Sequence, residues 1–427
     1  MIIKYPNKLN RIFDKLKINN IKPILIGGYI RDNILQNTSN DIDIEVYGVN
    51  SFKKLEEILQ EFGNINRVGK SFGVCKLTYK GLDLDFSLPR QDSKVSDGHK
   101  GFEIKIDPSL DFVNATKRRD FTINAIGYDV FEKKILDPFG GLIDLRDRVL
   151  RAVDRVTFVE DPLRVLRLVQ FTARFEMDVD EELFALCQQM VKEREFKELA
   201  YERIYEEIKK LLLKSSKPSI GIKLLHTLGL YKEWRALDEV DLFSQRCRDI
   251  KLQAKSKKLP SELLKCIALT SSIPKESLLI HFALLYNTKT LPLLHQIITD
   301  TKLFNTITTF INYSDYLSTP FKNITNYQLY FLATKVKLVL FFVFLDAKTL
   351  RKYTQMIEIL CKRAKDLNIL ESAIAPILQG KDLFNYGLTP SKEFKTILDN
   401  AYEAQMHEKF HNKAEALLWL ENYLKIQ

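Results

Sequence analysis

Two aspartates, Asp41 and Asp43, stand two residues apart in the stretch NDIDIEVYG, residues 40–48. Acids and aliphatics alternate there as Asp41, Ile42, Asp43, Ile44, Glu45, Val46. This alternation predicts a β-strand that turns the aliphatics to a core and the three acids to the opposite face. Carboxylates roughly 6–7 Å apart along one strand face suit joint binding of divalent ions. Mg2+ takes a few carboxylate oxygens and leaves its remaining positions to water and phosphate. The same pattern also describes a half-buried strand with a solvated acidic face. A third acid is offered by GLDLDFSLPR, residues 81–90, where Asp83 and Asp85 share a face against Leu82, Leu84 and Phe86. If that strand lies beside the first, Asp85 completes a three-carboxylate cluster. Two ions so held would activate a hydroxyl and stabilise a departing pyrophosphate.

Groups suited to a nucleotide surround these acids in the sequence. LIGGYIRD, residues 25–32, runs a strand into Gly27 and Gly28 ahead of a helix, a turn that lets backbone approach a phosphate. Arg31 can reach a phosphate or tether Asp32. In KRRDFTINAIGYD, residues 117–129, Arg118 and Arg119 suit a triphosphate and Asp120 a ribose hydroxyl. Asn124 follows Asp120 by four residues, the spacing of one helical face. In VEDPLRVLR, residues 159–167, Asp161 and Arg164 are three apart beside Pro162 at a helix start. A carboxylate that accepts from an exocyclic amine and a guanidinium that donates to a ring nitrogen would together take cytosine and adenine and reject uracil and guanine. A helix-surface ion pair is the plainer reading of those two residues. Glu202, Arg203 and Glu207 in ERIYEEIKKLL read as an intra-helical salt-bridge network. HEKFH, residues 407–411, matches a zinc-hydrolase pattern by letter, but its polar setting favours a solvated helix face.

The elements that must position these groups fall into two parts. Residues 1–150 combine a helical pattern near 7–18 with short strand-like runs, an α+β or α/β arrangement. From 151 onward the apolar period is helical, as in DPLRVLRLVQFTARF. Over 427 residues this implies several domains. The net charge of +10 points to a polyanionic partner. Five scattered cysteines, Cys75, Cys187, Cys247, Cys266 and Cys361, form no C-x-x-C pair and fit reduced thiols in the cytoplasm. The first twenty residues do not read as a signal peptide, and LVLFFVFL at 338–345 is too short to span a membrane.

Taken in order, GGYIRD, DIDIEVYG, RRDFTINAI, DPFGGLIDLRDR, EDPLRVLRLVQFTARF and YERIYEEIKKLL resemble the bacterial class II tRNA nucleotidyltransferase and poly(A) polymerase family. The resemblance is dense over residues 23–213 and looser in the tail at LQGKDLFNYGLTPSKEFKTILDNAYEAQ. It implies a polymerase-β-like nucleotidyltransferase head (1–150), then an all-α neck (151–218), body (219–345) and tail (346–427). It further implies catalytic metal-binding Asp41 and Asp43, served by two Mg2+ ions. Gly27, Gly28, Arg31, Arg118, Arg119, Asp120, Asn124 and Arg167 would hold triphosphate and ribose. Asp161 and Arg164 would select C and A. The implied activity is addition of the 3′ CCA of tRNA from CTP and ATP in the cytoplasm, with the acceptor–TΨC arm on the body and tail. A poly(A) polymerase, a CC-only or A-only enzyme, and a non-catalytic RNA-binding relic are the rivals. DPFGG (137–141) matches the family's hinge, and RQDSKVSDGHKG (90–101) its flexible loop. His281, in LLIHFALL, is not followed by Asp, so no His-Asp phosphohydrolase activity is expected.

Overall fold

The alternating runs of the first 150 residues form strands β1 (Lys22–Ile26), β2 (Asp41–Tyr47), β3 (Ile65–Asn66), β4 (Val74–Tyr79), β5 (Leu82–Ser87), β6 (Arg90–Lys94), β7 (Phe102–Ile106), β8 (Gly127–Asp129) and β9 (Lys134–Leu136). In this computed structural model they build a seven-stranded mixed sheet of order β3-β4-β5-β2-β1-β8-β9, while β6 pairs with β7 alone. The structure describes residues 3–37, 41–66, 74–94, 102–193, 199–254, 274–317, 319 and 321–426. Two compact units result, Met1–Leu211 with Ile220–Tyr231, and Leu212–Ser219 with Lys232–Gln427.

In the first unit, β2 and β5 run parallel, with Asp41 opposite Asp83 and Asp43 opposite Asp85. Next to them β4 runs antiparallel to β5 and sets Lys76 opposite Asp85. Ile42, Ile44, Val46, Leu77, Leu84 and Phe86 face the core and are at most 1% exposed. Helix α1 (Asn10–Ile18) packs on β1, α2 (Gly28–Ile34) on β1 and β2, and α3 (Phe52–Leu59) on β4. An amphipathic face of α1, Ile12, Phe13 and Leu16, closes that core. The stretch 90–101, expected as one mobile loop, instead opens with strand β6, because its residues 90–94 find a partner in β7. Residues 95–101, with His99, lie outside the described residues.

After a short α4 (Phe112–Thr116), the arginine-rich segment is not the α-helix its spacing suggests. It turns through a 3-10 helix at Thr122–Asn124. The DPFGG segment is pinned to this turn. Asp137 accepts from the backbone N–H groups of Gly141 (2.7 Å) and Leu142 (2.9 Å) at the start of α5 (Gly141–Asp147). A Cβ at Gly141 would overlap the Thr122 carbonyl. Then come α6 (Arg155–Phe158), α7 (Leu163–Phe175), α8 (Glu181–Lys192), α9 (Tyr201–Lys214) and α10 (Pro218–Leu228).

The second unit is helical. Its core contains the helix Leu338–Lys348, whose residues 338–345 are all 4% exposed or less. Burial on every side explains the unbroken apolar run LVLFFVFL. No single helix among the described residues is long and apolar enough to cross a membrane. A buried Arg246–Asp346 ion pair is completed by the Thr354 hydroxyl, 2.6 Å from Asp346. Part of the lysine-dense run, residues 255–273 with Cys266, lies outside the described residues. A separate tail core gathers Leu378, Leu383, Ile397, Ala401, Phe410 and Leu420. The HEKFH stretch is not a helix face, contrary to expectation. His407 ends the helix Lys392–Met406, Glu408 adopts φ +57°, and Phe410 turns into the tail core. Burial of Phe410 requires the chain to leave the helix there, which removes the i,i+4 geometry a zinc site needs.

His281 is 2% exposed. Its Nδ1 donates to the Ser277 carbonyl (2.8 Å), so neutral Nε2 accepts from the Ser244 hydroxyl (2.8 Å). Burial pulls its pKa down to about 4. The unfolded chain therefore takes up this proton first, and stability complete above about pH 6.5 is lost as pH falls toward 4. Urea unfolding at a series of pH values is expected to show midpoints that decline through this window. His281→Phe is expected to flatten that decline.

Candidate active site

On β2 the acids lie on the side of the sheet away from Ile42, Ile44 and Val46, with Asp41 exposed and Asp43 half-buried. Beyond the end of β1, Gly27 adopts φ +71°, and a Cβ there would stand 2.7 Å from Arg119 Nη1 and 3.4 Å from Asp43 Oδ2. Both the backbone conformation and the space demand glycine. The glycine turn, the carboxylate strand and the arginine segment thus meet at one place. Burial raises the pKa of Asp43; Arg119 opposes this, while the neighbouring Asp85 and Asp41 raise it further. Asp85 is held by Lys76 Nζ at 2.9 Å, and Asp83 accepts from the Thr78 hydroxyl at 3.1 Å. Among the described residues no three His, Cys, Asp or Glu side chains converge on a common metal position. Asp41 and Asp43 nevertheless form a donor set of the kind magnesium takes, two hard oxygens with space left for water and phosphate.

Glu45, third on the strand, is fully buried. It receives the Tyr47 hydroxyl at 2.6 Å and the Arg118 guanidinium at 3.2 Å, so it orients Arg118 and does not face the solvent with Asp41. Arg119 Nη1 donates to the Asn124 carbonyl at 3.1 Å, and burial lowers its pKa.

Arg31 does tether Asp32, at 2.8 Å, and also donates to Asn124 Oδ1 at 2.6 Å. Its guanidinium lies 4.5 Å from the centre of the Phe175 ring. Asn124 in turn donates to Asp120 at 2.9 Å, so the two residues meet as their spacing suggested, although across a turn. Asp120 also accepts from Phe121 N (2.8 Å) and Arg167 Nε (2.7 Å). Burial by itself would raise the Asp120 pKa, but Arg167 and Asn124 hold it at about 2. Arg31, Asn124, Asp120 and Arg167 therefore form one continuous chain of bonds from α2 to α7.

Asp161 and Arg164 lie at the start of α7, where the Arg164 backbone N–H donates to the Asp161 carbonyl at 3.0 Å, but their side chains take other partners. Asp161 Oδ1 accepts from the backbone N–H of Leu163 at 3.1 Å, and Oδ2 from Arg203 at 2.8 Å. Arg164 donates to the carbonyls of Thr157 and Arg118, each at 2.6 Å. The expected intra-helical network of α9 is only partly present. Lys210 pairs with Glu207 at 2.7 Å, but Arg203 reaches across to Asp161, and Glu207 lies 3.9 Å from Arg167. A sequence signal for this existed. Glu207 falls on the buried stripe of Ile204, Ile208 and Leu211, and an acid there needs a partner from another element.

Arg167→Met is expected to destabilise the protein by about 3–5 kcal/mol, because the buried Asp120 carboxyl would lose its guanidinium partner. The depressed Asp120 pKa contributes stability that is present above about pH 4 and lost as pH falls toward 2. The variant is expected to lose this acid-limb contribution in chemical denaturation.

Residues 24–151 match the family model of the poly(A) polymerase head domain, and 176–238 that of a probable RNA- and SrmB-binding site of polymerase A. A multifunctional CCA protein of Stenotrophomonas maltophilia is 36% identical over 209 residues, 48% of this chain and 49% of the relative. One from Nitrosospira multiformis is 39% identical over 221 residues, 52% and 50% of the two chains. The chain thus spans about half the length of the curated relatives it matches. Among solved structures, the Bacillus stearothermophilus CCA-adding enzyme in complex with CTP superimposes with TM-score 0.72 at 21% identity, covering 99% of each chain. The Thermotoga maritima CCA-adding enzyme complexed with tRNA gives 0.62 at 20%, covering 98% of this chain and 96% of the other. At such identities these two likenesses speak for the fold alone, a mixed-sheet head followed by helices.

Proposed function

We propose that this chain, whose residues 24–151 match the poly(A) polymerase head domain, is a member of the tRNA nucleotidyltransferase and poly(A) polymerase family and adds or repairs the 3′ CCA of tRNA from CTP and ATP without a nucleic-acid template. The observation that carries this reading is the meeting of Asp41 and Asp43 with the Gly27 turn and Arg119. Enzymes of this family use divalent metal. Asp41 and Asp43, with Asp85 beside them on β5, would hold Mg2+, two ions in the full site. When bound, the metal lowers the pKa of the attacking hydroxyl and neutralises charge on the triphosphate.

The chain's own groups would do the rest. The Gly27–Gly28 turn would receive the triphosphate beside the carboxylates, and Arg118 and Arg119 would neutralise it. Glu45 holds Arg118 in place for that task. The tRNA 3′ hydroxyl attacks the α-phosphate, and pyrophosphate leaves. Arg31, Asp120, Asn124 and Arg167 are already bonded to one another, which fits holding the floor of the triphosphate and ribose pocket in shape. Asp161 and Arg164 would read the base. Their fixation by Arg203 and by two backbone carbonyls keeps the pair rigid, and rigidity is what allows a wrong hydrogen-bond pattern to be rejected. The head (1–150) would thus do the chemistry and the neck (151–218) the selection. The body (219–345) and tail (346–427) would bind the acceptor–TΨC arm through phosphates and shape, as the +10 net charge suits. Such work on tRNA would be done in the cytoplasm.

The reading is tested with tRNA transcripts that end before CCA, after C and after CC, each given labelled CTP or ATP. Three additions followed by a stop are expected; unlimited A tailing would assign a poly(A) polymerase instead. Asp41→Ala and Asp43→Ala are each expected to abolish incorporation, and full activity in either would sink the metal assignment. Asp161→Ala is expected to admit UTP and GTP with little change in tRNA affinity. Arg203→Ala is expected to relax selectivity in the same direction by about 10-fold, as loss of one orienting charge-assisted bond implies. Unchanged selectivity in both variants would remove the base-reading role.

A further inference from the structure

The Cα atoms of Asp43, Asp85 and Lys76 lie in one row across β2, β5 and β4. Residues paired across strands point to the same side of a sheet, so the three side chains share the face that carries Asp41. Neighbouring strands lie about 4.8 Å apart, which puts the carboxylates of Asp43 and Asp85 within reach of a single ion. Yet no three carboxylates converge among the described residues. Asp85 is drawn toward the opposite neighbour, to Lys76 Nζ at 2.9 Å.

We propose that Lys76 is a built-in cation of the carboxylate face, which holds Asp85 away from Asp43 and must be displaced before a divalent ion gains its full ligand set. This rests on the metal role proposed above for Asp41 and Asp43. The pair suits the task because it exchanges readily. The Lys76 side chain is 54% exposed and that of Asp85 33%, and ion pairs this open are weak. A lysine ammonium is strongly hydrated and rides on a flexible stem, so it can swing into water. Arg119, the other cation beside Asp43, is fixed by the Asn124 carbonyl and has no such freedom. Lys76 is therefore a positioning residue that acts through Asp85. Its charge lowers the affinity of the apo site for metal and spares the four aspartates Asp41, Asp43, Asp83 and Asp85 from facing one another without a counter-ion.

The test is titration of the full chain with Mn2+, without nucleotide or tRNA, with the free ion followed by electron paramagnetic resonance. Wild type, Lys76→Met, Lys76→Arg and Asp43→Asn are compared. Lys76→Met is expected to bind Mn2+ about five- to tenfold more tightly, the effect of removing a unit positive charge close to a divalent ion. Lys76→Arg is expected to stay near wild type, and Asp43→Asn to lose the site. A gain in affinity is not something a damaged fold produces. If Lys76→Met binds no tighter than wild type while Asp43→Asn has lost the ion, the role of Lys76 is overturned and the metal site stands. If Asp43→Asn binds as wild type does, the ion sits elsewhere, and both readings fall.

Discussion

The bond between Asp120 and Arg167 joins a segment of the sheet domain to the first long helix after it. Asp120 is buried and charged, which is tolerable only because a guanidinium, an amide and a backbone N–H all donate to it. Each donor is tied to another part of the site. Asn124 receives Arg31 from α2, and Arg167 stands on α7 behind the Asp161 and Arg164 pair. One buried anion thereby fixes the distance between the place where phosphates would be held and the place where a base would be read. The proposed activity, which copies no template, would need that distance held constant, because protein groups alone would define both the nucleotide and its position.

The opposite problem arises on β2 and β5. There the acids share a face with one another, and the pKa of Asp43 is raised first by burial and further by its neighbours Asp85 and Asp41. Two cations offset this in different ways. Arg119 is locked in place and helps demand a glycine at position 27. Lys76 is exposed and exchangeable. A site with fixed positive charge alone would compete permanently with metal, and one with none would strain the sheet. The combination leaves the platform stable when empty and open to a stronger cation.

How much of this was legible in the sequence follows from how local each signal is. The β2 strand and its two aspartates were readable because a period of two assigns faces without knowledge of any partner. The Gly27–Gly28 turn was readable from the paired glycines themselves, and the order of the arginine motifs from the family resemblance. Parallel pairing of β2 with β5 could be posed only as a condition, since register between strands some forty residues apart leaves no local trace. Lys76 was invisible, because it matters only once β4 sets it opposite Asp85. Arg203 was misassigned by a rule that pairs charges within a helix, whereas its partner Asp161 lies on another element. HEKFH was misassigned by spacing, because the burial of Phe410 outweighs helical continuation.

Charged residues at helical spacing need not find their partners on the same helix: those of α9 reach across to α7 and to Asp161 just before it. An ion pair between elements is retained where it fixes geometry, since at an exposed face it adds little stability. Charged residues that fall on or beside the apolar stripe of a neck helix, such as Glu207, are therefore the ones to read as part of a site. Those on the outer face, such as the Lys209–Glu206 pair, are the ones to read as solvation. By that criterion the functional boundary of this protein does not stop at the sheet domain. It runs through α7 into α9, and Arg203 belongs with Asp161 and Arg164 in the group proposed to choose the base.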